Sequence, residues 1–551
     1  MTITTAASGA VPATVDPHHV WISRNGDEAV EAAIAGAWGA LAGTTVAVKD
    51  NIDVAGFPTT AACPSFAYEP TTTAPAVQRL LDAGAVVVGK TTLDQFATGL
   101  VGTRSPYGAV ESPAAPGRVS GGSSSGSAAA VARGWVDVGI ATDTAGSGRV
   151  PAAFCGIVGL KGTRGWVPTA GVVPACPSFD CTTVFARSVG SAARALRTMA
   201  GPADGDPSTR LRPAVPVAAV RRIGVPSPAV LDGCDERTLR HFGVALALAE
   251  ELGYELLDVD LDAYLEAGSL LYGGAFVAER TAAFGDALGA DADPSVEAIV
   301  SRGARWSAVE LASDRAWLQV LQVEAAQVWA SVDAVLLPTA PFHPTLAEVA
   351  ADPLTVNARL GRFVSGCNLV DWCAAAVPLP TFDDLPFGVQ VLGPAWSDPA
   401  IWTVAARMLG EDTEPLATID DADQDLVSIA VVGAHLAGEP LNHQLTDRGA
   451  TLVNRTTTAA RYRMVALPGA VAKPGLVPVG EGGGAVEVEV WSLPAAGFGH
   501  LVSQVPAPLA IGGMHLADGS VVPGFLCDAL VAADAPDITG WGGWRAWQAG
   551  A

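Results

Sequence analysis

Apolar and polar positions divide this chain into two stretches of different rhythm. Through the first 200 residues, helical and strand patterns alternate. A helical patch at Glu28–Leu41 precedes TTVAVKDNIDVAG, an alternating strand that ends in a turn. AVQRLLDAGAVVVGK then gives a helix, a glycine and a strand at Val86–Val88. SGSAAAVARGW reads as a helix entered from a glycine-serine loop, and VDVGIATDT as a strand with Val136, Val138 and Ile140 on one face. This alternation predicts an α/β fold, a sheet covered by helices on both faces. Residues 235–335 are mostly helical, with strands expected at RRIGVP and DAVLLPT. PFGVQVLGP (Pro386–Pro394) gives one more buried strand, followed by the helix IWTVAARML.

The second rhythm begins after an acidic stretch poor in apolar residues, GEDTEPLATIDDADQD, which has the composition of an exposed linker. Beyond it come short strands separated by Gly/Pro turns, among them SIAVVGAHL, RYRMVALPG and AVEVEVWSL. The expected organisation is therefore a large domain over residues 1–409, a linker over 410–427 and a smaller strand-rich domain over 428–551.

Composition narrows the function classes. Half of the 551 residues are apolar and 16% are charged, enough for a sizeable core. The formal charge of −24 argues against nucleic-acid and anionic-membrane partners, because a phosphate surface would repel it. It leaves a small-molecule substrate open. Eight cysteines without a CxxC pair, Cys176 and Cys181 lying five apart, form neither a disulfide framework nor a zinc site, so no metal and no cofactor are expected. The N-terminus lacks a basic and an apolar signal region, and no uncharged apolar run reaches 18 residues. A cytoplasmic location is expected.

Two serine-bearing stretches carry the chemistry: GGSSSGS at Gly121–Ser127 and DTAGSGRVP at Asp143–Pro151. Together with Lys49 of AVKDN they supply a base, a relay and a nucleophile, the parts needed to hydrolyse an amide without a histidine or a metal. DTAGSG follows a strand and precedes an apolar helix, so Ser147 sits in a tight turn whose N–H groups can form an oxyanion hole. Read alone, the same stretch is an ordinary Gly/Ser turn. A nucleophile elbow is excluded because Ala145 and Arg149 occupy its glycine positions. GGSSSG does not supply a dinucleotide fingerprint. Gly84–Thr91, GAVVVGKT, satisfies the phosphate-loop pattern, but its Ala-Val-Val-Val interior is a strand rather than a flexible cradle.

AVKDN, GGSSSGSAAAVA and DTAGSGRVPAAFCGIVGLKGTRG closely resemble the amidase signature family over residues 40–405. That resemblance implies a large twisted mixed sheet wrapped in helices and a Ser–cis-Ser–Lys triad, with Lys49 as base, Ser123 as cis-serine and Ser147 as nucleophile. Burial among neighbours such as Val46 and Val48 favours the neutral lysine that a base requires. The oxyanion donors fall on the N–H groups of Thr144, Ala145, Gly146 and Ser147. Asp143 and Arg149 flank the turn as candidates for an ion pair that fixes it, with Ser124 supporting the relay serine.

LDQFATGLVGTRSPYG resembles the allophanate hydrolase branch of that family. In LYGGAFVAERTAAF, Tyr272 and Arg280 match the pair that grips the allophanate carboxylate there, and the Gly99 backbone lines the same pocket by resemblance. Eight residues apart on one helix, the two side chains point to the same side. On its residues alone, Arg280 reads as a surface or ion-paired arginine. LYGGAF departs from the family's usual glutamate-proline-tryptophan wording, and AVESPAAPGR before the serine loop is atypical.

VVGAHLAGEPLNHQL and PGFLC resemble the C-terminal domain of allophanate hydrolases, linked with a small α+β fold of the γ-glutamylcyclotransferase type. In some members it decarboxylates N-carboxycarbamate. His435 and His443 are its candidate residues, each equally readable as structural. The resemblance implies hydrolysis of allophanate (urea-1-carboxylate) to ammonia and CO2 in urea degradation, by a homodimer functionally associated with a biotin-dependent urea carboxylase. A malonamate-like amidase and a non-catalytic subunit of a urea-degrading complex are the alternatives.

Overall fold

The computed structural model describes residues 11–12, 16–212, 218–413, 416, 426–448, 450–467, 472–480 and 482–550. They fall into two compact units, one up to residue 419 and one from residue 420. Much of the acidic stretch expected as a linker, 414–415 and 417–425, lies outside the described residues.

The first unit is built on a twelve-stranded mixed sheet. Across the sheet its strands run Val11–Pro12, Trp21–Arg24, Val86–Thr91, Thr45–Lys49, Val138–Asp143, Cys181–Ala186, Val158–Lys161, Trp372–Leu379, Phe387–Pro394, Ala334–Pro338, Arg222–Pro226 and Glu255–Val259. Thr45–Lys49 is parallel to both its neighbours. The next pairings, to Cys181–Ala186 and on to Phe387–Pro394, are antiparallel. Strand and helix thus alternate as the hydrophobic pattern predicts, but the antiparallel centre makes the sheet mixed.

Alternating side chains feed two apolar layers. Val46, Val48, Ile140 and Leu160 enter one cluster, while Ala47, Ala141 and Phe185 enter another. The helix Ser125–Ala132 packs with Ser125 to Val131 all buried, which its small side chains permit. The parallel strands Thr45–Lys49, Val86–Thr91 and Val138–Asp143 end on the same edge of the sheet. In α/β folds, that carboxyl edge is where ligands sit.

Two local expectations change. The first helix runs Asp27–Gly36 rather than to Leu41, and no residue of it is buried. Glu255–Val259 is an edge strand inside the stretch read as mostly helical; it is half-exposed, so its apolar positions carry little pattern. The phosphate-loop look-alike ends, as its valines predict, in a fully buried strand, Val86–Thr91. Lys90 Nζ in that strand meets Asp50 Oδ1 at 3.0 Å and Thr59 Oγ1 at 3.2 Å, with both charged side chains wholly buried.

The second unit holds a five-stranded sheet in the order Thr451–Thr457, Glu487–Pro494, Leu426–Val431, Val521–Cys527, Leu509–His515, with Tyr462–Leu467 pairing Lys473–Pro478 beside it. It has its own core, including Ile429, Tyr462, Leu476, Val488 and Trp544. The eight cysteines are free thiols. Among the described residues no helix is long and apolar enough to cross a membrane.

Removing one partner of a buried ion pair strands the other charge, so Lys90→Ala should cost about 3–5 kcal/mol. The check is a lower urea midpoint for the first unit. ATP should leave the wild-type midpoint unchanged, and an ATP-dependent rise would restore the phosphate-loop reading.

Candidate active site

At the carboxyl edge of the sheet, Lys49 ends its strand with no exposure at all. Its Nζ lies 2.8 Å from Ser123 Oγ and 2.7 Å from Thr142 Oγ1. Ser123 follows a cis peptide to Gly122, and Ser124 Oγ donates to the Thr142 carbonyl at 3.1 Å. Burial drives the Lys49 ammonium down to about 7, against the attraction of Asp94, Asp180 and Asp143, while Arg280 adds repulsion. Lys49 therefore meets two hydroxyls and, among the described residues, no carboxylate within ion-pair distance, and the neutral amine is accessible near neutral pH. Thr142 was legible only as a strand residue.

Ser147 lies in the turn between the strand Val138–Asp143 and the helix Val150–Cys155, 3% exposed. The turn is built around the Asp143 carboxylate. It accepts from the N–H of Gly146 at 2.8 Å and of Gly148 at 3.0 Å, and pairs bidentately with Arg149 at 2.9 and 3.0 Å. Burial alone would raise the Asp143 carboxyl; Arg149, with Lys161 and the Gly146 N–H, outweighs this and holds it below the usual carboxylate range. Arg149 also donates to Gln390 Oε1 and to the Val364 carbonyl, while Asn368 Nδ2 donates to the carbonyls of Asp143 and Phe179. A lone glutamine within the buried strand PFGVQVLGP was a sequence signal of a polar partner; nothing marked Asn368.

Gly146, expected among the oxyanion donors, is engaged by Asp143 instead, because the carboxylate folds back over its own turn. Among the described residues, no acceptor meets the N–H groups of Thr144, Ala145 or Ser147. Thr144 is further tied by its hydroxyl to Asp180, whose carboxylate also accepts from Ala175 N and Cys176 N.

Arg280 is fully buried. Nη2 donates to Tyr272 Oη at 2.9 Å, Nη1 to Thr98 Oγ1 at 3.0 Å, and Nε has no partner. Among the described residues no carboxylate comes within ion-pair distance of it, so Arg280 is neither the surface nor the ion-paired arginine that its residues alone suggested. The expectation that one helix carries both side chains is corrected: Tyr272 belongs to Asp262–Gly273 and Arg280 to Val277–Phe284. The break falls at the Gly273–Gly274 pair, where Gly274 is extended rather than helical, and the Asp314 carboxylate accepts the N–H of the following Ala275 at 2.6 Å. Gly99 adjoins Thr98, and its missing side chain leaves room for the Asp94 carboxylate, which a Cβ there would strike.

In the second unit, His435 is 9% exposed, stacks on Phe525 and bonds Gln444 Oε1 through Nε2 at 3.0 Å. Burial lowers its pKa. His443 is exposed and Nδ1 donates to the Pro440 carbonyl at 2.9 Å. Among the described residues no cluster of three metal-ligating side chains occurs.

The family profile described as Amidase matches residues 13–401. The chain belongs to the amidase family. The profile of the allophanate hydrolase C-terminal domain matches residues 427–549 of this amidase. Its sequence is 40% identical to urea amidolyase of Saccharomyces cerevisiae, across 92% of this chain and 29% of that one. It is 36% identical to a glutamyl-tRNA(Gln) amidotransferase subunit of Halobacterium salinarum, across 67% of this chain and 96% of that one. The solved structure of Kluyveromyces lactis allophanate hydrolase superposes with a TM-score of 0.70 at 36% identity, covering 97% of this chain and 94% of that one. The amidase thus spans under a third of the length of the yeast urea amidolyases it matches.

Labelling of Ser147 by a fluorophosphonate should rise with pH through about 7, as Lys49 loses its proton, and level off above. Lys49→Met should remove the labelling altogether; a rate independent of pH would exclude Lys49 as the base.

Proposed function

We propose that this amidase hydrolyses allophanate. Ser147 Oγ attacks the terminal amide carbonyl while its proton passes through Ser123 to Lys49. The oxyanion is met by the N–H groups of Thr144, Ala145 and Ser147. The tetrahedral intermediate collapses to an acyl-enzyme, and the same proton path run backwards protonates the departing ammonia. Water then clears the acyl group as N-carboxycarbamate. The single observation that carries the substrate assignment is the buried Arg280 guanidinium, which has no ion-paired carboxylate among the described residues and is held by Tyr272 and Thr98 with its Nε unpaired. A buried cation needs a countercharge, and a guanidinium fits a planar carboxylate in two-point fashion.

The rest of the reading follows from this. The amidase domain occupies residues 1–409, joined by the linker 410–427 to the C-terminal domain 428–551; the profile match at 427–549 supports that division. The C-terminal domain decarboxylates N-carboxycarbamate, taking up a proton, to carbamate and CO2, with His435 and His443 as its candidate groups; the carbamate then breaks down, with a second proton, to ammonia and a second CO2. Urea amidolyase relatives support a functional association with a biotin-dependent urea carboxylase activity. The protein works as a homodimer in the cytoplasm, where free thiols persist.

Ser147→Ala should abolish ammonia release from allophanate in a folded protein. Arg280→Ala should raise KM for allophanate by about 10- to 100-fold, the weight of one charged hydrogen-bonded contact. Turnover of a neutral amide should change far less, and equal losses on both would count against the carboxylate clamp. Faster turnover of malonamate than of allophanate would favour the malonamate-like alternative.

A further inference from the structure

Asp94, in the stretch LDQFATGL, has no exposed surface. Its Oδ2 accepts from the N–H of Val101 at 3.2 Å and of Gly102 at 3.0 Å, and its Oδ1 from Arg104 N at 2.9 Å. No lysine or arginine among the described residues lies within ion-pair distance. The Arg104 guanidinium turns away to the carbonyls of Thr98 and Pro353. The carboxylate is therefore a buried charge satisfied by backbone alone.

Three contacts tie it to the reacting groups. The Asp94 N–H donates to the Ser123 carbonyl at 3.0 Å. A Cβ on Gly122 would collide with Asp94 Oδ2, and so would one on Gly99. Glycine at both places is what lets one carboxylate pack against the relay loop and the wall beside Thr98 at once. Lys49, bonded to Ser123, feels Asp94 as its strongest opposite charge, ahead of Asp180 and Asp143, with Arg280 opposing. Asp143 is partly neutralised by Arg149, whereas Asp94 has no such cation.

We propose that Asp94 is a positioning residue of this site, acting on the relay serine through its backbone bond and glycine contacts and on the lysine base through its charge. The packing keeps Ser123 within reach of Lys49. The charge sets a limit on how far burial alone can strip the lysine of its proton. The proposal rests on reading Lys49, Ser123 and Ser147 as base, relay and nucleophile.

The test is the pH dependence of fluorophosphonate labelling of Ser147 in the full chain, which needs no assumption about the natural substrate. Asp94→Asn should move the inflection to lower pH by about one pH unit, because the ammonium loses its countercharge. The plateau rate should fall on the order of 10²-fold as the relay shifts. A lower plateau with an unmoved inflection would mean that Asp94 only holds the fold and would overturn the role on the base. An unchanged plateau would overturn the role on the relay. Asp94→Ser, smaller and equally uncharged, gives the same reading should the asparagine variant not fold. Failure of the wild type to label would instead strike the reading of the three reacting residues.

Discussion

The chemistry proposed for this protein depends on the desolvation of one amine. Moving Lys49 from 10.5 to about 7 corresponds to about 5 kcal/mol favouring the neutral form. Burial is the cause, and the neighbouring strand shows why burial alone is not enough. Lys90 is equally buried and lies across from Val48 in the parallel ladder, but it meets the Asp50 carboxylate at 3.0 Å. Lys49 meets hydroxyls. On that reading the difference between a structural lysine and a base is the partner offered, and the sheet places one of each on adjoining strands.

The remaining charges follow from keeping Lys49 unpaired. Three carboxylates surround it, and each is occupied in a way that spares it. Asp143 pairs with Arg149 and folds the nucleophile turn; Asp94 and Asp180 are held by N–H groups and, for Asp180, the Thr144 hydroxyl. Asp143 contributes twice, since the same two oxygens that satisfy Arg149 also draw in Gly146 and Gly148. The turn is rigid because its acceptor is shared, and that same sharing removes Gly146 from the donors that can meet an oxyanion.

How much of this was legible in the sequence depended on range. Lys49, Ser123, Ser147 and the Asp143–Arg149 pair sit in short motifs whose geometry is local, so their wording carries them. Val86–Thr91 declared itself a strand through its valines despite a perfect phosphate-loop pattern. Thr142, Asn368 and Asp180 reach the site across strands and loops, as the 225 residues between Asn368 and its acceptor Asp143 show. No spacing rule announces such partners. Tyr272 and Arg280 were found together but placed on one helix, although the Gly273–Gly274 pair between them, where the first helix ends, is a local breaker signal. Asp94 lay in plain view within a stretch singled out for other reasons; its bond to the Ser123 carbonyl, its packing against two glycines and its charge toward Lys49 distinguish it from an ordinary buried carboxylate.

Arg280 shows how recognition draws on the same physics as the base. A buried cation without an ion-paired carboxylate is costly, and the fold accepts that cost by giving two of its five N–H groups to Thr98 and Tyr272. Nε is a buried donor without a partner. On the proposed reading a carboxylated amide satisfies this cation, whereas a neutral amide leaves it as it was. Sites with unpaired buried polar groups discriminate far more sharply against ligands that lack the partner than apolar pockets discriminate by size. On the proposed reading, the selectivity of this amidase rests on that cation, on a wall that adjoins the Asp94 carboxylate through Gly99 and so stands beside the proposed relay serine.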